Sequence, residues 1–127
     1  MKTHDFLIVD DSSTMRTIIS KCLNNLGHNI VGEAGNGKKA LDKLEELNKV
    51  PDFMTLDINM PIMNGVDLLK TLNKSGSYKD MNIIMVTTEK EKGLLRECFM
   101  LGATNYLIKP FRETDVIKTI NTIIGKK

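Results

Sequence analysis

Residues 5–19, DFLIVDDSSTMRTII, decide the fold. FLIV is apolar without a break, as a strand buried on both faces must be, and it runs into two carboxylates, Asp10-Asp11. Met15, Ile18, Ile19, Cys22, Leu23 and Leu26 then recur at helical spacing up to Gly27, which suits a left-handed helix cap. A short buried strand passing directly into an amphipathic helix is the repeating unit of a parallel sheet.

Working outward, the unit recurs along the chain. Strands are expected at 5–10, 29–34, 52–57, 82–87 and 104–108. Between and after them come helical patterns through Ala40, Leu41, Leu44 and Leu47; Val66, Leu68, Leu69 and Leu72; Leu94, Leu95, Cys98, Phe99 and Leu101; and Val116, Ile117, Ile120, Ile123 and Ile124. Strand two carries Asn29 and Glu33 and reads as an edge. Right-handed crossovers then give a doubly wound α/β fold, a five-stranded parallel sheet of order 2-1-3-4-5 covered on both faces. At 127 residues, one domain over 1–127 with no output domain is expected.

Composition narrows the function classes. The net charge is +2, from 18 basic and 16 acidic residues that are interspersed, so no basic stripe marks a nucleic-acid partner. Lys126-Lys127 reads as a solvated tail. No apolar stretch approaches the ~20 residues that span a bilayer, and no secretory signal opens the chain. Cys22 and Cys98 fall within helical apolar patterns, as reduced thiols of a cytoplasmic protein would.

The chemistry sits at the strand ends. FMTL ends in Asp57, IIMV in Thr87-Thr88 and YLI in Lys109-Pro110. A parallel sheet lines up its carboxyl ends on one edge, and there such sheets bind ligands. Carboxylates within about 4 Å repel by roughly 4 kcal/mol per pair at an effective dielectric of about 20. A hard divalent cation removes that conflict, and Mg²⁺ accepts one or two carboxylates together with phosphate oxygens. The plainer alternative is that Asp10-Asp11 only favour the next helix N-terminus, with Ser12 or Ser13 as cap. Asp57, beside a metal and an ammonium, could attack a phosphoryl group, with Thr87 donating to one equatorial oxygen. Lys109 precedes Pro110, and a cis bond there is expected to turn the lysine over the crevice. Asn64-Gly65 reads as a tight turn into the third helix.

With these residues in view, the chain resembles the receiver domains of two-component signalling, over its full length. The motifs are Asp10-Asp11, LDINMPIMNG around Asp57, MVTTE with Thr87, and YLIKPF from Tyr106 to Phe111. Among receivers it is most similar to the chemotaxis regulators of the CheY type, through DDSSTMR at 10–16, Asn59 and Glu89. The resemblance implies a flavodoxin-like fold and phosphorylation of Asp57 by a histidine kinase. It implies Mg²⁺ on Asp11, Asp57 and the Asn59 carbonyl, with Asp10 orienting metal-bound water. Lys109 and Thr87 would hold phosphoryl oxygens, and Tyr106 would turn inward with Thr87. Asn59 and Glu89 would steer water in self-dephosphorylation, and Thr88, where the family usually has Ala or Gly, would crowd the mouth.

The resemblance also implies a partner face at Lys90, Lys92, an exposed Leu95, Tyr106, and the flanking Lys118 and Thr119. That face suits an acidic amphipathic peptide such as a motor-switch segment. A monomer is expected. Three rivals stand beside this reading. A phosphorelay intermediate would pass its phosphate to a histidine phosphotransfer protein. A haloacid-dehalogenase-like phosphatase would need a second Asp where Ser12 stands. A flavodoxin-like electron carrier would need a phosphate loop after strand one.

Overall fold

The structure, a computed structural model, describes residues 2–125, so the expected tail at Lys126-Lys127 lies outside it. Five strands, β1 (Asp5–Val9), β2 (Asn29–Ala34), β3 (Phe53–Asp57), β4 (Asn82–Thr88) and β5 (Asn105–Lys109), alternate with five helices. The helices are α1 (Ser13–Asn25), α2 (Gly37–Glu46), α3 (Gly65–Ser75), α4 (Leu95–Met100) and α5 (Glu113–Gly125), and a 3-10 turn, Glu89–Leu94, precedes α4. The strands are parallel in the expected order β2-β1-β3-β4-β5. Strand limits differ from the sequence expectation by a residue: β1 stops at Val9, β4 runs on to Thr88, and β5 takes in Lys109.

Alternate residues of the central strands feed two cores. Leu7, Val9, Met54, Leu56 and Met85 pack with Ala40, Leu44, Leu68, Leu69, Leu95 and Cys98 from α2, α3 and α4. Phe6, Ile8, Phe53, Ile84 and Val86 pack with Ile19, Cys22, Leu23, Val116, Ile120 and Ile123 from α1 and α5. β3 has no exposed residue, because it is flanked by strands and covered by helices on both faces. Both cysteines are free and buried. Within the helical stripes, Ile18 and Ile124 turn out exposed, while their neighbours Ile19 and Ile123 are buried.

Short side-chain caps start the helices immediately beyond the sheet edge. Ser12 accepts from the Met15 N–H at 3.1 Å, Asn36 from Lys39 at 2.9 Å and Asn64 from Asp67 at 2.9 Å. Asn64-Gly65 thus leads into α3 as expected, with Asn64 as its cap. Gly65 is required there, since a Cβ would run into the Asp57 carbonyl oxygen. Gly27 closes α1 with φ +87°, the left-handed conformation anticipated from its position.

Candidate functional site

Side chains from the ends of β1, β3 and β5 meet at the carboxyl edge. Asp10, Asp11 and Asp57 each offer a carboxylate oxygen, and these lie within 4.8 Å of one another. Lys109 is the last residue of β5, and the Lys109–Pro110 bond is cis, as anticipated. Its ammonium donates to Asp10 Oδ2 at 3.0 Å and stands 3.6 Å from Asp57 Oδ1. Asp10 and Asp57 are buried, while Asp11 is exposed. Asp10 also accepts the Ser12 N–H at 2.9 Å, so the acidic pair both serves the crevice and shapes the start of α1. The two readings of Asp10-Asp11 are therefore compatible.

The electrostatics follow from that crowding. Burial, then the Asp10 charge, push the Asp57 carboxyl from 3.8 up to about 7; Lys109 opposes this, and Glu91 and Asp11 add to it. Burial pulls the Lys109 ammonium down, but Asp10 and Asp57 together outweigh it and leave the net shift upward. Three carboxylates against one ammonium leave the crevice short of positive charge. Hard oxygen donors clustered in this way fit a small divalent cation.

Thr87, at the end of β4, is fully buried. Its hydroxyl lies 3.4 Å from Glu91 Oε1 and 3.3 Å from the Thr88 carbonyl oxygen. Thr88 is half-buried, and its N–H and hydroxyl both donate to that same Glu91 oxygen at 3.1 Å. Thr88 therefore turns its hydroxyl toward the 3-10 turn. Asn59 is exposed just past β3 and lines a cleft of about 460 Å³ with Asn64, Lys70, Glu91 and Glu97. Glu89, Lys90 and Lys92 are exposed on the 3-10 turn. The Tyr106 ring is exposed and meets Phe99 edge-on, with centroids 6.1 Å apart.

One expected surface residue is not on the surface. Leu95 is buried in the core beside Cys98, and the exposed apolar side chains nearby are Leu94, Phe99 and Met100. Leu95 and Cys98, three residues apart, share the buried face of α4 as their helical spacing suggests, so the exposure that the resemblance implied for Leu95 is corrected. Of Lys118 and Thr119, on α5, the lysine is exposed and the threonine half-buried.

Two further residues bear on the site without having been singled out in the sequence. Arg16 donates to the Asp10 carbonyl oxygen at 2.7 Å and to Glu33 Oε1 at 3.0 Å, strapping the end of β1 to the edge strand. Glu91 closes on Thr88 three residues earlier, and the T-x-x-E spacing of a capping box was readable there.

Fold and crevice together define a doubly wound α/β protein with an acidic pocket and one lysine at its carboxyl edge. Residues 6–121 match the response regulator receiver domain, and the chain belongs to that family. Relatives include a chemotaxis protein CheY homolog of Campylobacter jejuni, 43% identical over 94% of this chain and 91% of the relative. Chemotaxis protein CheY1 of Helicobacter pylori is 40% identical over 94% of this chain and 95% of its own. Among solved structures, chemotaxis protein CheY4 of Vibrio cholerae superposes with a TM-score of 0.84 at 32% identity, covering 96% of this chain and 99% of that one. The CheX-CheY-BeF3-Mg complex of Borrelia burgdorferi gives 0.87 at 27% identity, over 95% of this chain and 89% of that one.

Proposed function

We propose that this receiver is a chemotaxis response regulator whose Asp57 accepts a phosphoryl group from a histidine kinase. The observation that carries the reading is the meeting of Asp10, Asp11, Asp57 and Lys109 at one sheet edge. An ionised Asp57 oxygen forms the new P–O bond while the P–N bond of the donor phosphohistidine breaks, its electron pair returning to the imidazole. Lys109, already 3.6 Å from Asp57, is placed to neutralise an equatorial oxygen, and Thr87 would supply a hydroxyl to another. Asp10, Asp11, Asp57 and the Asn59 carbonyl would hold Mg²⁺, which supplies charge neutralisation to the phosphoryl oxygens when bound. The Borrelia complex contains a CheY together with BeF3 and Mg, which supports the same pairing here.

Hydrolysis is assigned to the same mouth. Asn59 and Glu89 would steer the attacking water, and Thr88 would set how freely it enters. Replacing Thr88 with Ala should change the lifetime of the phosphorylated form; superimposable decay traces for the two proteins would remove Thr88 from that role. The output face is assigned to Lys90, Lys92 and Tyr106 with Leu94, Phe99 and Met100. Lysines around exposed apolar side chains fit an acidic amphipathic segment, such as that of a motor-switch protein.

The deciding experiment is incubation with acetyl phosphate, with and without Mg²⁺, beside Asp57→Asn. The parent protein should gain one acid-stable, alkali-labile phosphate only with Mg²⁺, and the variant none. Equal labelling of Asp57→Asn would move the acceptor elsewhere.

A further inference from the structure

Thr87 carries a fully buried hydroxyl at the strand end beside Asp57, and a buried hydroxyl needs an acceptor. In this structure its acceptors are the Thr88 carbonyl and Glu91 Oε1, at 3.3 and 3.4 Å. The Glu91 oxygen is held where it is by two shorter bonds, from the Thr88 N–H and the Thr88 hydroxyl, both 3.1 Å. Glu91 is half-buried, so these bonds are partly shielded from water. Its carboxylate is also one of the groups whose field reaches Asp57.

These contacts place two anions in competition for one proton donor. A hydroxyl has a single hydrogen. If the Thr87 hydroxyl turns to a phosphoryl oxygen on Asp57, it leaves Glu91. The phosphoryl group adds negative charge on the same side, so Glu91 is repelled as its donor departs. Glu91 also ties the 3-10 turn Glu89–Leu94 back to Thr88. Loss of that tie frees the start of the segment leading into α4.

We propose that Glu91, held by Thr88, is a positioning residue that keeps the Thr87 hydroxyl away from Asp57 in the unphosphorylated protein, and that phosphorylation must displace it. The proposal deepens the phosphoacceptor reading and rests on it. Its consequence is a cost on the phosphorylated state that Thr88 and Glu91 impose jointly, transmitted through a hydroxyl rather than through bulk at the mouth.

The test is a double-mutant cycle read with beryllofluoride and Mg²⁺ as the phosphoryl mimic. In the parent background, Glu91→Ala should tighten beryllofluoride binding about fivefold, the scale of one net hydrogen bond, and Glu91→Gln, which still offers the Thr87 hydroxyl an acceptor, by less. In a Thr87→Val background the same substitutions should change it less than about twofold, because the shared hydroxyl is gone. In the free protein, the Thr88 amide proton resonance should shift in Glu91→Ala and much less in Glu91→Gln, which keeps an acceptor oxygen. Equal tightening with and without the Thr87 hydroxyl would reduce Glu91 to a distant charge and overturn the proposal. Unchanged or weakened binding in Glu91→Ala would overturn it too. A parent protein that binds no beryllofluoride, or binds it equally as Asp57→Asn, would instead overturn the phosphoacceptor reading, taking the competition with it while leaving the Thr88 amide shift in place.

Discussion

Asp57 is the residue at which burial and like charge act most strongly. Its folded value near 7 lies above the ordinary 3.8, so between about pH 4 and 7 the folded chain keeps a proton that the unfolded chain releases. Stability therefore falls as pH rises through that window, and the loss is complete above about 7. In the presence of a chelator, Asp57→Asn should unfold later than the parent at pH 8, by about 2–4 kcal/mol, with the gap closing towards pH 4. Urea titrations at the two pH values read this directly; a gap independent of pH would mean that Asp57 is not the titrating group. Asp11→Asn should likewise raise the chelated protein's melting temperature and remove most of the gain on adding Mg²⁺. A drop in melting temperature would show that the acids are already balanced.

Thr55 is a second residue under polar stress. It sits in mid-β3 between Ile8 and Ile84, is buried, and leaves its hydroxyl without a partner among the described residues. Thr55→Val keeps the shape and removes the orphan, so it should stabilise the protein by about 1 kcal/mol in a denaturant titration. Destabilisation of similar size would mean that the hydroxyl is satisfied after all.

At the scale of elements, the joint between β3 and α3 is the tightest. The Gly65 N–H donates to the Ile58 carbonyl at 2.8 Å, and a side chain at 65 would meet the Asp57 main chain. Gly65→Ala should cost about 1–3 kcal/mol in stability and displace Asp57 from Lys109, slowing acetyl phosphate labelling. Normal labelling with normal stability would show that the joint gives way easily. At the opposite end of the sheet, His28 is buried, takes the His4 N–H on Nδ1 at 3.1 Å, and packs with Phe6. Burial, then the neighbouring His4, lower its pKa below 6.5. The unfolded chain then binds the extra proton first, so stability is held above about pH 6.5 and declines as pH falls beneath it. His28→Gln should flatten that acid limb of the stability profile; an unaltered limb would assign it to another group.

The elements also show what could be read from sequence. FLIV, FMTL and IIMV are apolar throughout because their strands are covered on both faces, and this pattern marks them as the central three. The acids and Lys109 were legible because parallel strands share one edge. Leu95 was legible as a member of the helical stripe with Cys98, and the exposed place that the resemblance implied for it was wrong because both side chains face the sheet. Ile18 was misplaced because spacing selects a stripe but not which of two adjacent residues occupies its centre. Glu91 carried a readable capping signal, yet its grip on Thr87 depends on a side-chain direction that no spacing encodes.

Across the whole molecule, Asp57 stands on the middle rail of the sheet, with β1 on one side and β4 on the other. Beyond β1 lies a margin clasped by Arg16 to Glu33, whereas beyond β4 lies β5, bearing Lys109 and the exposed Tyr106. One margin is thus held by a clasp that never touches Asp57, while the other delivers the cation that does. Any rearrangement around that aspartate that re-seats the ammonium pulls on the strand that also displays the tyrosine.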